Sequence, residues 1–136
     1  MNKFFAVLCG AAVIAAVLGS GVVNARREAD QIVEIRSYTL KPGTRARFQQ
    51  LFIETRPMLE RRKIDVVAHG PSLHDDNSYY LIRAFASLED RQRSEDAFYN
   101  SDEWRQGPRD AVLACIDTYT TVVVTLDAAT VGGLRR

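Results

Sequence analysis

The sequence has few of the residues that build disulfides, metal clusters or charged binding surfaces. It contains two cysteines and two histidines among 136 residues. Its acidic and basic residues are nearly balanced, with a formal net charge of +1. Proteins that bind nucleic acid usually carry a basic stripe, so we expect no nucleic-acid partner.

Motifs typical of catalysis and cofactor binding are also missing. There is no glycine-rich phosphate loop, no dinucleotide fingerprint, no paired-cysteine metal motif and no Ser-His-Asp set. His69 and His74 lie in the segment HGPSLHDDNS, whose turn-forming residues predict a solvated hairpin loop and not a metal site. The sequence therefore predicts no metal, no cofactor and no catalytic residue, and it favours a binding module over an enzyme.

The one long apolar stretch lies at the N-terminus and has the three parts of an export signal. Lys3 gives a basic start, residues 4–19 are apolar, and Val23 and Ala25 fit a cleavage site. We predict a signal peptide over residues 1–25, a short linker over 26–30, and a periplasmic or secreted location. If cleavage fails, the stretch is about long enough to anchor the chain in a membrane, which needs roughly 20 residues. A membrane partner is expected only in that case.

Removal of residues 1–25 changes the chemistry of what remains. Lys3 is the only charged residue in that segment, so the rest of the chain carries 17 basic and 17 acidic residues. Cys9 is removed as well, so Cys115 has no partner for an intramolecular disulfide, despite the oxidising destination. The domain must therefore be held together by core packing or by pairing with a second copy.

Hydrophobic periodicity divides residues 31–126 into strands and helices. Strands are predicted over residues 31–40, 64–68, 79–86 and 116–126, and helices over residues 44–63, 87–99 and 101–114, the last with a break at 107–108. Pro57 predicts a kink or a break near Thr55 in the first helix. Residues 127–136 have no periodicity and are predicted to form a loose tail.

The order β-α-β-β-α-β predicts an α+β, ferredoxin-like domain with a four-stranded antiparallel sheet and helices on one face. In the first strand, Val33 and Ile35 alternate with Glu34, Arg36 and Tyr38. We expect the aliphatic residues to meet the helices and the three polar-tipped residues to lie on the uncovered face. Such a face gains cover from another copy, so we predict a homodimer whose sheets form a barrel with a partly polar interior.

Three strings of the sequence resemble the NIPSNAP family. Residues 34–43, EIRSYTLKPG, are similar to its opening pattern E-L-R-x-Y-x-L-x-x-G, and residues 85–91, FASLEDR, to its strand-to-helix junction. Residues 101–104, SDEW, resemble its acidic-tryptophan string, and order and spacing agree across residues 32–125. The resemblance implies a dimeric α/β-barrel, shared with antibiotic-biosynthesis monooxygenases and chlorite-dismutase-like proteins, but no agreed activity. Export and the arginine at position 83 depart from what it implies.

The polar face of the first strand provides a candidate ligand site. Glu34, Arg36 and Tyr38 follow one another at steps of about 7 Å, and Arg83 in the third strand joins them if the strand phases agree. Inside a dimer barrel, the arginine would bind an anionic ligand, the tyrosine would donate a hydrogen bond, and the glutamate would orient the arginine. The alternative is a Glu–Arg pair that only fixes strand register or dimer contacts.

Phe98, Tyr99 and Trp104 also have two interpretations. They can line a small-molecule pocket, or they can close the edge of the core, which is the commoner role of aromatic residues at helix junctions. Three functions stay open: an exported module that binds a ligand or partner, a small cofactor-independent monooxygenase or heme-handling enzyme that uses the barrel interior, and a membrane-tethered structural partner.

Overall fold

The computed structural model describes residues 29–135, so the predicted signal peptide and most of the linker lie outside the described residues. The elements in chain order are β1 (Gln31–Leu40), α1 (Arg45–Arg61), β2 (Asp65–Pro71), β3 (Ser78–Phe85), α2 (Leu88–Tyr99), α3 (Asp102–Arg105), α4 (Arg109–Cys115), β4 (Ile116–Leu126) and α5 (Ala128–Leu134). Every predicted strand and helix is present. Within residues 29–135, no helix combines the length and apolar character needed to cross a membrane.

The four strands form one antiparallel sheet in the order β2-β3-β1-β4. β1 lies inside the sheet, where its Glu34 is paired with Arg83 of β3 and its Tyr38 with Tyr119 of β4. This arrangement confirms the predicted ferredoxin-like α+β fold. Within one chain the sheet is not closed, and β2 and β4 form its two edges.

One face of the sheet, here called the helix-covered face, packs against α1, α2, α3 and α4. The main core lies between them and is built from the following buried residues: Tyr38, Leu40, Phe48, Leu51, Phe52, Leu59, Ile64, Val66, Tyr79, Leu81, Phe85, Phe98, Trp104 and Cys115. Cys115 is thus a small core residue, as its apolar neighbours in the sequence predict.

The phase of β1 is opposite to the prediction. Glu34, Arg36 and Tyr38 lie on the helix-covered face, beside the core residue Leu40, and they are not on the uncovered face. Alternation along the strand directs Val33 to the other face, where it joins a second, smaller core. The reversal has a physical reason: charged residues of α2 pair with Glu34 and Arg36, so that their charges are compensated in the interior.

The other side of the sheet is only partly covered, by α5. The side chain of Asp127 caps this helix by accepting the Thr130 N–H at 2.9 Å, and Val131 is 1 % exposed. Val131 packs against Val33, Val67 and Ala84. The prediction of a loose tail over residues 127–136 was therefore wrong for residues 128–134. Seven residues that bury one apolar side chain are too few to produce a hydrophobic period.

Of the kink or break predicted in the first helix, the break was wrong, because α1 continues through Pro57. Proline lacks the N–H that would bond the carbonyl of Ile53 four residues earlier. Both residues are exposed, so water can satisfy that carbonyl. On the buried side of the same helix, the Thr55 hydroxyl donates to the Leu51 carbonyl at 2.7 Å.

Candidate functional site

Five charged side chains meet beneath the helices and are here called the charge cluster: Glu34, Arg36, Arg83, Arg91 and Glu95. Arg83 is 1 % exposed and donates hydrogen bonds to both carboxylates. The Nε of Arg91 donates to Glu34 Oε2 at 2.8 Å, and Arg36 Nη2 lies 3.0 Å from Glu34 Oε1. Three guanidinium groups therefore surround two carboxylates.

Strand register and helix capping place these side chains together. Glu34 and Arg83 are directly opposite each other in the β1–β3 ladder, on the same face. The start of α2 is fixed by the Ser87 hydroxyl, which accepts the Asp90 N–H at 3.1 Å. Arg91 and Glu95 then lie one turn apart on this helix, so both face the sheet.

The two carboxylates of the cluster respond in opposite ways to the same surroundings. Burial alone would raise the pKa of Glu34, but the charges of Arg83 and Arg36 and the hydrogen bonds from the arginines lower it to about 2. Burial raises the pKa of Glu95, and the nearby Glu34 carboxylate adds to this effect against the attraction of Arg83. Glu34 is therefore the fixed anion of the cluster, and Glu95 is the carboxylate that takes up a proton more readily.

The hydroxyl of Tyr99, at the end of α2, lies against two of the arginines. It accepts from Arg36 Nη1 at 3.1 Å and from Arg83 Nη1 at 3.4 Å. Within residues 29–135, the Nε atoms of Arg36 and Arg83 are buried and have no hydrogen-bond partner. Arg36 also lies over the Tyr119 ring, 4.9 Å from its centroid.

Two neighbouring spaces border the charge cluster. An inner cavity of about 50 Å³ has Arg83 in its wall and is otherwise lined mostly by aromatic and aliphatic side chains of the core. An outer cleft of about 280 Å³ is lined by Arg36 and Tyr119, among others. Tyr99 and Trp104 line both spaces, so they form part of the wall that separates them.

The structure brings together all four residues of the predicted ligand site, Glu34, Arg36, Tyr38 and Arg83. It places them under the helices, whereas the prediction put them in the interior of a dimer barrel. Sequence reasoning missed Arg91 and Glu95 of the charge cluster. Their spacing of four residues was a usable signal, but oppositely charged residues at this spacing more often form an exposed pair on a helix.

The two histidines lie away from this site. His69 is half-buried, with its Nδ1 2.8 Å from the Tyr79 hydroxyl and its ring 4.5 Å from the Phe52 ring. His74 is in the exposed loop between β2 and β3. No group of three metal-ligating side chains occurs among residues 29–135.

A second surface lies beside α5 on the other side of the sheet and is here called the open face. Its residues are Ile35, Ser37, Thr39, Tyr80, Ile82, Thr120, Val122 and Val124. None of these side chains is charged, and Val122 is 55 % exposed. The strand β4 is exposed along most of its length, so this edge of the sheet is largely uncovered in the single chain.

Comparison with known proteins identifies both a family and a fold. A family model described as NIPSNAP matches residues 33–125. A solved NIPSNAP family protein of unknown function from Agrobacterium tumefaciens has a TM-score of 0.66 at 18% identity, covering 75% of this chain and 91% of that chain. An uncharacterized NIPSNAP domain protein from Burkholderia xenovorans has a TM-score of 0.64 at 12% identity, with coverages of 71% and 95%.

A third solved structure belongs to an enzyme. SnoaB, a cofactor-independent oxygenase from Streptomyces nogalater, has a TM-score of 0.55 at 21% identity, covering 72% of this chain and 94% of that chain. At this identity the likeness concerns the fold. No curated protein matches the chain.

Proposed function

This chain belongs to the NIPSNAP family, and from that premise we propose that it is an exported homodimer that binds a small molecule between its sheet and its helices. The observation that carries the proposal is the position of Arg36 and Arg83 beside two spaces lined by aromatic side chains. A mostly apolar pocket with a few convergent polar groups is the usual form of a small-molecule site.

The charge cluster supports binding over a purely structural role. A Glu–Arg pair would be enough to fix strand register, yet this cluster gathers three arginines around two glutamates. Two of those arginines keep a buried N–H without a partner in the described part of the chain. Buried donors are usually satisfied, so these two unpaired donors indicate that the acceptors within the described residues do not satisfy the arginines completely.

The open face supports the homodimer. Its side chains are aliphatic or carry hydroxyl groups, and none is charged, so a second copy of the same face can pack on it without charge repulsion. An exposed strand edge rich in β-branched residues also favours pairing with another chain. The dimer would bury the open face and leave the ligand site under the helices of each copy.

Substitution of two neighbouring residues of β4 tests this dimer. Val122 lies on the open face and is 55 % exposed, whereas Val123 points to the opposite face and is 39 % exposed. We expect Val122→Glu to sediment as a monomer at micromolar concentration and Val123→Glu to remain a dimer. A dimer of unchanged stability in Val122→Glu would exclude the open face as the interface.

Export and ligand binding can be tested together by native mass spectrometry of the full chain produced in its own host. The expected species is a dimer of residues 26–136 that carries a noncovalent small-molecule adduct. A species that retains residues 1–25 would support the membrane-anchored alternative instead. A cleaved dimer without any adduct would argue against the ligand-binding function.

A second candidate function is the oxygenation of an activated phenolic substrate without a cofactor. It is favoured by the aromatic lining of the inner cavity and by the fold shared with SnoaB. Oxygen consumption with a phenol or a quinol is the measurement. Arg36→Gln and Tyr38→Phe should each abolish any turnover while leaving the dimer intact, and unchanged turnover would remove both residues from this role.

A further inference from the structure

The Tyr99 hydroxyl lies where a stronger hydrogen-bond acceptor would be expected. Two guanidinium groups, those of Arg36 and Arg83, donate to this single neutral oxygen. Hydrogen bonds between a cation and an anionic oxygen are roughly twice as strong as those between neutral groups. An anionic oxygen at this position would therefore bind the two arginines more tightly than the phenol does.

The charge balance of the cluster also favours binding of an anion at this position. Its three arginines form ion pairs with only two carboxylates, Glu34 and Glu95. Even with both carboxylates ionised, the cluster keeps one net positive charge, and protonation of Glu95 leaves two. Each arginine contacts a carboxylate, but two carboxylates are shared among three guanidinium groups whose side chains are at most 21% exposed. An excess of charge of one sign in such a place is costly. One further anion would balance the cluster.

The volumes of the inner cavity and the outer cleft indicate where a molecule that carries this anionic group would lie. The inner cavity, at about 50 Å³, is much smaller than a typical ligand pocket of about 300–1,000 Å³. The outer cleft of about 280 Å³ approaches the lower end of that range. Tyr99 is one of four residues that border both spaces, with Tyr38, Trp104 and Val112. Its hydroxyl is the one that contacts both guanidinium groups, so a ligand that reaches them from the cleft requires a change of the Tyr99 rotamer.

The lining limits the class of molecule. Phe98 and Trp104 pack against the Tyr99 ring, with ring centroids 4.9 and 6.1 Å from it. When Tyr99 moves aside, these two rings remain as an apolar wall that suits another flat ring. The cationic groups lie together at Arg36 and Arg83, so the molecule needs one anionic group and an otherwise apolar body.

We propose that the site binds an aromatic carboxylate or phenolate, whose anionic oxygen replaces the Tyr99 hydroxyl between Arg36 and Arg83 while the Tyr99 side chain swings aside. This inference rests on the ligand-binding function proposed above and names its ligand class. The Tyr99 hydroxyl takes the position between the two arginines that the stronger acceptor of the ligand would occupy.

Calorimetric titration of the full chain with two probes of the same shape tests the inference. The probes are 2-naphthoate, which is anionic, and 2-naphthamide, which is neutral. We expect 2-naphthoate to bind at least tenfold more tightly. Equal affinities for the two probes would overturn the proposed ligand class while leaving the ligand-binding function in place.

Two variants separate the role of Tyr99 from a merely structural one. Tyr99→Phe removes the competing hydroxyl and keeps the ring, so 2-naphthoate should bind at least threefold more tightly than to the unmodified protein, with a smaller gain for 2-naphthamide. Arg36→Gln should weaken 2-naphthoate at least tenfold and 2-naphthamide much less, because a neutral amide oxygen accepts more weakly than a carboxylate. Equal fold-changes for both probes in either variant would contradict the exchange of oxygens.

Absence of binding by either probe to the unmodified protein would also overturn the inference. Native mass spectrometry then tests the proposed ligand-binding function separately, through the presence and the charge of a bound adduct. A neutral adduct would keep the binding function and exclude the anionic class, and a dimer without an adduct would exclude both. Circular dichroism of each variant shows whether it is folded, and the conservative Tyr99→Phe keeps the test available if Arg36→Gln fails to fold.

Discussion

The two faces of this sheet differ in a way that is opposite to the usual arrangement. The helix-covered face carries three charged side chains, Glu34, Arg36 and Arg83, which meet two more from α2 in the charge cluster. Glu34 and Arg83 are almost completely buried there. None of the residues that define the open face is charged, yet Val122 is more than half exposed. The charged Asp65 lies on the same side only at the β2 edge, where it pairs with Arg135. The polarity of a side chain therefore did not decide which face became the interior. The availability of partners for each charge decided it.

The difference has consequences for what each face can do. Buried charges are tolerated only when each has a partner of opposite sign, and the loss of one partner is far more harmful than the loss of an exposed pair. The helix-covered face is thus rigidly specified and suited to recognising a charged group. The open face, which is neutral and partly apolar, is suited to another copy of itself.

The largest expected effect comes from removing the central arginine of the charge cluster. Arg83→Met removes the guanidinium that joins Glu34 to Glu95. Arg36 and Arg91 still contact both carboxylates, but breaking a buried ion pair by removing one partner costs about 3–5 kcal/mol. We expect the free energy of unfolding to fall by about that amount in urea titrations at pH 7 followed by circular dichroism.

An arginine on the exposed side of α2 provides the matched control. The side chain of Arg93 is 73% exposed and pairs only with Asp90, so Arg93→Met should change the free energy of unfolding by less than about 0.5 kcal/mol. Equal effects of Arg83→Met and Arg93→Met would show that the helix-covered face does not depend on its charge pairing.

The next largest effect is a dependence of the free energy of unfolding on pH, which we assign to Glu34. The pKa of Glu34 is lowered from 4.5 to about 2, which corresponds to about 3 kcal/mol of stability. This stability is present above pH 4.5, because there the carboxylate is ionised in both states. It is lost as the pH falls from 4.5 to about 2, since the unfolded chain binds the proton first.

Glu34→Gln should therefore reduce the loss of stability between pH 4.5 and 2, measured as the urea midpoint at a series of pH values. Glu95→Gln is the control, because the pKa of Glu95 is raised and its linkage lies above pH 4.5. A Glu34→Gln profile as steep as that of the unmodified protein would refute the assignment.

Much of the fold could be predicted from the sequence, and the failures have clear causes. Alternation in QIVEIRSYTL and the β-branched run IDTYTTVVVTL were sufficient for the strands, and their order was sufficient for the topology. The face of the sheet on which each β1 side chain lies could not be predicted from the sequence. Val33 and Ile35 have the character of core residues, and Glu34 and Arg36 have the character of surface residues. Only the tertiary position of α2 shows that the charges have partners.

The candidate site was predicted only in part, because local alternation identifies residues that share a strand face but not the helix that packs on them. Glu34, Arg36 and Tyr38 share a strand face by simple alternation, and Arg83 joins them through the β1–β3 register. Glu95 was not added, because its four-residue spacing from Arg91 is more typical of an exposed helix pair, and the local sequence does not show that this side of α2 meets the sheet. The helix α5 escaped prediction because its stability depends on a single buried residue, Val131, and on the Asp127 cap.

The smallest expected effect concerns an arginine on the other side of the sheet, at α5. Arg135 donates two hydrogen bonds to Asp65, at 2.8 and 2.6 Å, which is good geometry. Both side chains are nevertheless exposed, by 46% and 40%, and exposed ion pairs contribute about 0.2–1 kcal/mol. Arg135→Gln should lower the free energy of unfolding by no more than about 1 kcal/mol, and Asp65→Asn by a similar amount.

The salt dependence of the destabilisation distinguishes this exposed pair from the charge cluster more clearly than the size of the destabilisation does. At 1 M salt the Debye length falls to about 3 Å, which screens exposed charges but hardly affects buried ones. The cost of Arg135→Gln should therefore vanish in 1 M NaCl, while the cost of Arg83→Met should persist. If both costs vanish, solvent reaches the charge cluster, and the contrast between a sealed charged face and an open neutral one is wrong. If neither vanishes, Arg135 stabilises α5 through packing of its aliphatic stem, and the pairing with Asp65 is incidental.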